Sequence, residues 1–242
     1  MGLHKFSIPA PSGVLHGMVH MPEVEPRAIA IVAHPLPIMG GTMDNKIVTT
    51  LAKTFAELGF IALRFNFRGV GESSGEYDEG NGETEDALAI AHYAQQEFGA
   101  QLPLILAGFS FGGYVQARAA AQLHARKLVL IAPAVGRFAM PHVPAGSLIV
   151  HGELDEVVTL ADMLAWARPQ HLPIVHVIRD RQIDALRHLR PPETAAGRTQ
   201  VAPAPPRAVA LRAGNRRAQF EAPLAAEQMF ARIALDENLH MI

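Results

Sequence analysis

Apolar runs of strand length alternate with stretches of helical periodicity through most of this chain, and few folds can absorb that pattern. Residues 28–33 are apolar without a break, as a strand covered on both faces requires. Residues 60–67, 102–109, 127–134, 147–152 and 172–178 read as further strands. Between the first two strands, Ile47, Val48, Leu51, Phe55 and Leu58 recur at helical spacing, with Asp44 placed to cap and Gly59 to stop the helix. Residues 84–98 set Ala87, Leu88, Ala91 and Ala94 on one face, and 111–123 and 160–167 also read as helices. This order specifies an α/β fold: a doubly wound, mostly parallel sheet with helices on both faces. Ahead of it, residues 3–9 and 14–21 are short strands joined by Pro11-Ser12-Gly13, an N-terminal antiparallel hairpin.

Bulk properties narrow the function classes. A chain of 242 residues suits one α/β domain with a large core. A net charge of −2 offers no basic surface for phosphates, so no nucleic-acid partner is expected. No apolar run nears the roughly 20 residues that cross a bilayer, and residues 1–6 lack an apolar signal core; neither a membrane partner nor a leader is expected. The lack of cysteine excludes disulfides, a thiol nucleophile and Cys-bound zinc, and fits a cytoplasmic protein. His16 and His20 can share one strand face, but two histidines make a poor zinc site, and no H-E-x-x-H, Walker A or EF-hand pattern occurs. No cofactor and no metal are therefore expected. The acidic run from Glu76 to Asp86 reads as a solvated loop. Homo-oligomerisation is left open.

Gly108-Phe109-Ser110-Phe111-Gly112 matches G-x-S-x-G, with an apolar strand before it and a helical pattern after it. A lone match is weak, and a passive serine in a tight turn would also satisfy it. In this context the strand must turn sharply and expose the Ser110 hydroxyl, the arrangement of a nucleophile elbow. A serine hydroxyl needs a base, a carboxylate to orient that base, and N–H donors for the oxyanion. Phe111 N–H, at the helix start, is the first expected donor.

Four stretches together resemble the α/β-hydrolase superfamily, and within it the small lidless bacterial serine hydrolases of esterase or dienelactone-hydrolase type. They are Ala33-His34-Pro35-Leu36-Pro37 with Gly40 to Lys46, Arg64 to Ser73, the elbow, and Val150-His151-Gly152-Glu153-Leu154-Asp155-Glu156-Val157-Val158. The resemblance implies the α/β-hydrolase fold and a catalytic triad of Ser110, Asp155 and a histidine. It places a second oxyanion donor after the strand 28–33. Pro35 and Pro37 have no N–H, so Leu36 N–H is the candidate. His34 is then a structural loop histidine, Glu153 and Glu156 compete with Asp155, and a loop cap is the bland role for Asp155. Only residues 135–146 separate the two strands after the elbow, too few for a large lid. A small-molecule ester or acyl substrate is implied.

The histidine is where the pattern departs. The family's Gly-x-x-His turn is missing after residue 178; His188 is the nearest in chain order, with His176 and His240 as competitors. Residues 1–180 read as the hydrolase core. Residues 181–242 form an atypical Arg/Ala/Pro-rich segment with a final helix at 223–235. From Arg179 onward there are ten arginines and no lysine, a shift that resembles a translated frameshift of a GC-rich gene. The coding DNA decides that hypothesis: an alternate frame without a Gly-x-x-His continuation refutes it. Two functions follow: a serine hydrolase acting through an acyl-enzyme, or a catalytically impaired hydrolase-fold protein acting as a binding module.

Overall fold

The computed structural model describes residues 2–177 except 124, 126, 146, 154 and 173. The expected segment 181–242, its helix at 223–235, His188 and His240 lie outside the described residues.

Two N-terminal strands, β1 (Gly2–Ala10) at the sheet edge and β2 (Gly13–Met21) beside it, form the expected hairpin, closed at Ala10 and Gly13. Six strands follow: β3 (Ala28–Ala33), β4 (Phe60–Phe65), β5 (Leu104–Phe109), β6 (Lys127–Ile131), β7 (Leu148–Gly152) and β8 (Ile174–Val177). They make one sheet in the order β1-β2-β4-β3-β5-β6-β7-β8, parallel from β4 to β8. Four helices connect them: α1 (Lys46–Glu57), α2 (Asn81–Phe98), α3 (Phe111–Leu123) and α4 (Leu160–Ala167).

Side-chain alternation divides the core into two layers. Ile29, Ile31, Leu63, Leu106, Leu128 and Leu130 face α2, α3 and α4 in one cluster. Their strand neighbours Ala30, Val32, Ala62, Ala107 and Val129 face α1 through Val48, Leu51 and Phe55 in the other. Successive strand residues point to opposite faces, so unbroken apolar runs are what a sheet covered on both sides requires. The β3-β5 pairing sets Ala33 beside Gly108, bringing the loop after β3 and the turn after β5 to one end of the sheet.

Two local expectations are corrected. Asn45, not Asp44, caps α1, its side chain accepting from Ile47 N–H at 2.9 Å. Asp44 pairs with the buried Arg64 of β4, whose guanidinium also donates to Met43 O at 3.0 Å. The acidic run is not simply solvated. Glu83 is buried and accepts from Asp78 N–H at 2.9 Å and Gly80 N–H at 2.7 Å. Asp86 is also buried, and takes Arg68 N–H at 2.9 Å and the Arg68 guanidinium at 2.9 and 3.2 Å. The run folds the loop 66–80 onto the first turn of α2. No helix among the described residues is long and apolar enough to cross a membrane.

Candidate active site

Ser110 lies between β5 and α3 with φ of 53°, in the left-handed region that a side chain occupies at a cost. Its own backbone pins it there. Ser110 N–H donates to Ile131 O at 2.9 Å on β6, and Ser110 O accepts from Gly113 N–H at 2.9 Å in the first turn of α3. Two glycines make the turn sterically accessible. A Cβ on Gly108 would stand 2.3 Å from the Gly112 carbonyl, and one on Gly112 would stand 2.4 Å from Ala33 O. The close approach of Gly112 packs the start of α3 against the end of β3. No described residue forms a hydrogen bond with Ser110 Oγ.

The Phe111 side chain is fully buried. Its ring packs against Phe67 at 5.8 Å, Tyr77 at 5.8 Å, Tyr114 at 6.0 Å and Phe138 at 5.2 Å. These aromatics come from two loops and one helix, and fix the residue after Ser110. The Phe111 N–H, first in α3, donates to no acceptor among the described residues, as expected of a helix N-terminus.

Leu36 begins a 3₁₀ turn at Pro37–Met39, and its carbonyl accepts from Met39 N–H at 3.1 Å and Gly41 N–H at 3.0 Å. Its N–H likewise has no acceptor among the described residues. The direction of that N–H is set from behind. His34 Nδ1–H donates to Pro35 O at 2.7 Å, and Pro35 C=O and Leu36 N–H belong to one trans peptide and point opposite ways. His34 Nε2 in turn accepts from Phe67 N–H at 3.1 Å. Both ring nitrogens are committed, so His34 is a structural histidine, as the sequence suggests.

Burial pushes the His34 pKa down from 6.5 to about 4, opposed by its bond to Pro35 O. The unfolded chain therefore binds a proton near pH 6.5 where the folded chain does not. The stabilisation from His34 is complete above pH 6.5 and is lost as pH falls towards 4, by about 3 kcal/mol. His20, held at about 4 by burial and by the Arg64 and Lys53 charges, acts in the same direction. Urea midpoints should fall steadily between pH 7 and pH 4.5, less steeply in His34→Gln.

Asp155 follows β7, two strands from the elbow, a lateral separation of about 10 Å at the usual strand spacing. Its Oδ1 accepts from Val157 N–H at 2.8 Å and Val158 N–H at 2.9 Å. The loop-capping role and an acid role are compatible, because Oδ2 has no partner among the described residues. Glu153 and Glu156 are exposed.

The structure thus brings Ser110, Leu36, Phe111 and Asp155 to one end of the sheet, and His188 lies outside the described residues. His176 lies on β8, paired with His151 of β7. Between β6 and β7, the described residues of 132–147 form no helix or strand, and Phe138 folds back onto Phe111. His16 and His20 do not act together: His20 Nε2 accepts from Arg64 Nε–H at 3.1 Å, while His16 faces Glu72 at 3.6 Å. No cluster of three metal-ligating side chains occurs among the described residues.

Sequence reasoning missed the pairing of the partly buried Arg68 with the buried Asp86, which ties the loop 66–80 to α2. A charged residue beside Gly69 and an acid one helical turn inside α2 carry no distinctive signal.

Comparison with known proteins agrees with this geometry. Residues 25–170 match the family Hydrolase_4, serine aminopeptidase S33. An α/β serine hydrolase without a lid from Xanthomonas campestris, XC6422, is 38% identical. It superposes with a TM-score of 0.70, over 73% of this chain and 84% of that one. An α/β serine hydrolase homologue from Coxiella burnetii is 40% identical with a TM-score of 0.67, over 73% of this chain and 86% of that one. The uncharacterized protein RP471 of Rickettsia prowazekii (strain Madrid E) is 36% identical over 170 residues, which cover 63% of this chain and 67% of that one. With its eight-stranded sheet, its elbow and these matches, the chain belongs to the serine aminopeptidase S33 family of the α/β-hydrolase superfamily.

Proposed function

We propose that this protein hydrolyses carboxylic esters or related acyl compounds through an acyl-enzyme on Ser110. The observation that carries the reading is the strained Ser110, held at φ of 53° at the centre of the sheet with its hydroxyl left unpartnered by the described residues. In this reading a C-terminal histidine, His188, takes the Ser110 proton as Oγ attacks the acyl carbon. Asp155 orients that histidine through Oδ2 and stabilises its charged form. The N–H groups of Leu36 and Phe111 hold the developing oxyanion. Collapse of the intermediate expels the alcohol, which takes the proton from the histidine; water then releases the acid by the same steps. This chemistry calls on no metal or cofactor. With no lid between β6 and β7, it suits small or exposed substrates in the cytoplasm.

One observation favours a second reading. The family's Gly-x-x-His turn is missing after residue 178, and without a competent base the protein would keep the fold as a binding module without turnover.

Substrate panels separate the readings. Short-chain p-nitrophenyl esters and acyl thioesters should be turned over, and aminoacyl p-nitroanilides, the substrates expected of an aminopeptidase, should be hydrolysed at least about 100-fold more slowly. Asp155→Ala should lower ester turnover by about 10²–10⁴-fold. Preferential anilide hydrolysis would overturn the ester assignment. No turnover of any member by the folded chain would leave the binding-module reading.

A further inference from the structure

Between Gly152 and Val158, none of the described residues of the loop that carries Asp155 is buried. Glu153, Glu156 and Val157 are exposed, and Val158 is the buried residue that returns the chain to the core. Val158 is held at both ends of its backbone. Its N–H donates to Asp155 Oδ1 at 2.9 Å, and its carbonyl lies 2.8 Å from Nε2 of His151, a fully buried residue of β7. A carbonyl only accepts, so the His151 proton sits on Nε2.

We propose that His151 is a positioning residue for Asp155, clamping the Val158 backbone that in turn holds the Asp155 carboxylate. The inference rests on the reading of Asp155 as the triad acid. The chain of contacts runs from the rigid strand to the carboxylate in two hydrogen bonds: His151 Nε2–H to Val158 O, then Val158 N–H to Asp155 Oδ1. The second amide on Oδ1, from Val157, adds a bond within the same turn. With Oδ1 occupied by these two amides, the carboxylate is held and Oδ2 has no partner among the described residues. A site must be held to within about 0.5 Å of its working geometry, and supporting hydrogen bonds on rigid elements provide that. An apolar side chain at position 151 would fill the space but leave Val158 O unpaired in the interior, so the turn would move to find a donor.

The bland alternative is that His151 only fills the core, and it makes different predictions. The test compares His151→Leu, which removes the donor, with His151→Gln, whose amide can supply it. Exchange of the Val157 and Val158 amide hydrogens should accelerate at least about 10-fold in His151→Leu relative to amides of β5 and β6, and return towards wild type in His151→Gln. Ester kcat should fall about 10- to 100-fold in the Leu variant with KM within about 2-fold, since displacements near 1 Å cost on that scale. The Gln variant should recover most of it. Unchanged exchange at both amides in a folded Leu variant overturns the proposal, as does a Gln variant that recovers stability but neither exchange nor kcat. Should the Leu variant fail to fold, nitrogen NMR of the wild-type ring decides: a proton on Nε2 supports the clamp, and an unprotonated Nε2 refutes it. If the wild type hydrolyses no ester, the acid role of Asp155 falls, while the exchange arm still settles whether His151 holds the turn.

Discussion

Ser110→Gly should abolish ester hydrolysis, by at least about 10⁴-fold, and at the same time raise the stability of the fold. The first effect follows from loss of the atom that forms the acyl bond in the proposed reaction. What remains is the water reaction aided by the Leu36 and Phe111 donors. The second follows from backbone geometry. A side chain at φ of 53° costs about 1–2 kcal/mol over the right-handed regions, and glycine escapes that cost. Glycine gives back about 0.5–1 kcal/mol through its freer unfolded chain, so a net gain of up to about 1 kcal/mol should appear in the urea midpoint. Ser110→Ala keeps the strain, so it should lose the same activity without the gain. The pair of variants separates strain from chemistry at one position, and equal midpoints for the two would contradict the account of the elbow as a stored distortion.

Arg68→Leu should destabilise the protein by about 3–5 kcal/mol, a large share of the total for a domain of this size. The guanidinium bonds both oxygens of Asp86, whose side chain is fully buried, and reaches Glu85 at 3.2 Å. With the guanidinium gone, Asp86 keeps the Arg68 N–H and a long contact from Ser12 Oγ at 3.4 Å, too little for a buried carboxylate. The double variant Arg68→Leu/Asp86→Leu should recover much of the loss, because the cost lies in the unpaired charge. The damage should reach the site. The loop that Arg68 ties to α2 carries Tyr77, whose ring packs on Phe111 beside Ser110. Chemical denaturation of the single and double variants measures both effects.

The architecture is legible in the sequence because burial on both faces leaves a strong imprint. The runs 28–33 and 102–109 and the helical stripe of α1 can be read from apolar spacing, and the turn at Ser110 follows from where a strand meets a helix between two glycines. What escapes is set by tertiary partners. Asp44 looks like a helix cap until Arg64 of β4 claims it, and Asn45 takes its place. The first turn of α2, from Asn81, is polar and invisible to apolar periodicity, because Glu83 turns back to the loop amides. Two of the six acids of the run, Glu83 and Asp86, are buried against loop amides and Arg68, where composition alone reads the run as solvated. At the site, Ser110 and Asp155 follow from motif and order. The partners of His34 and His151 do not, since each is a carbonyl that the ring happens to reach: Pro35 O in the first case and Val158 O in the second.

The central claim is that Ser110 is an activated nucleophile, and covalent capture by a fluorophosphonate tests it without assuming a substrate. Folded wild-type protein should acquire a single adduct, mapped by mass spectrometry to the peptide containing Ser110, and Ser110→Gly should acquire none. A folded wild type that stays unlabelled, or a Ser110→Gly variant that labels as before, would contradict the account.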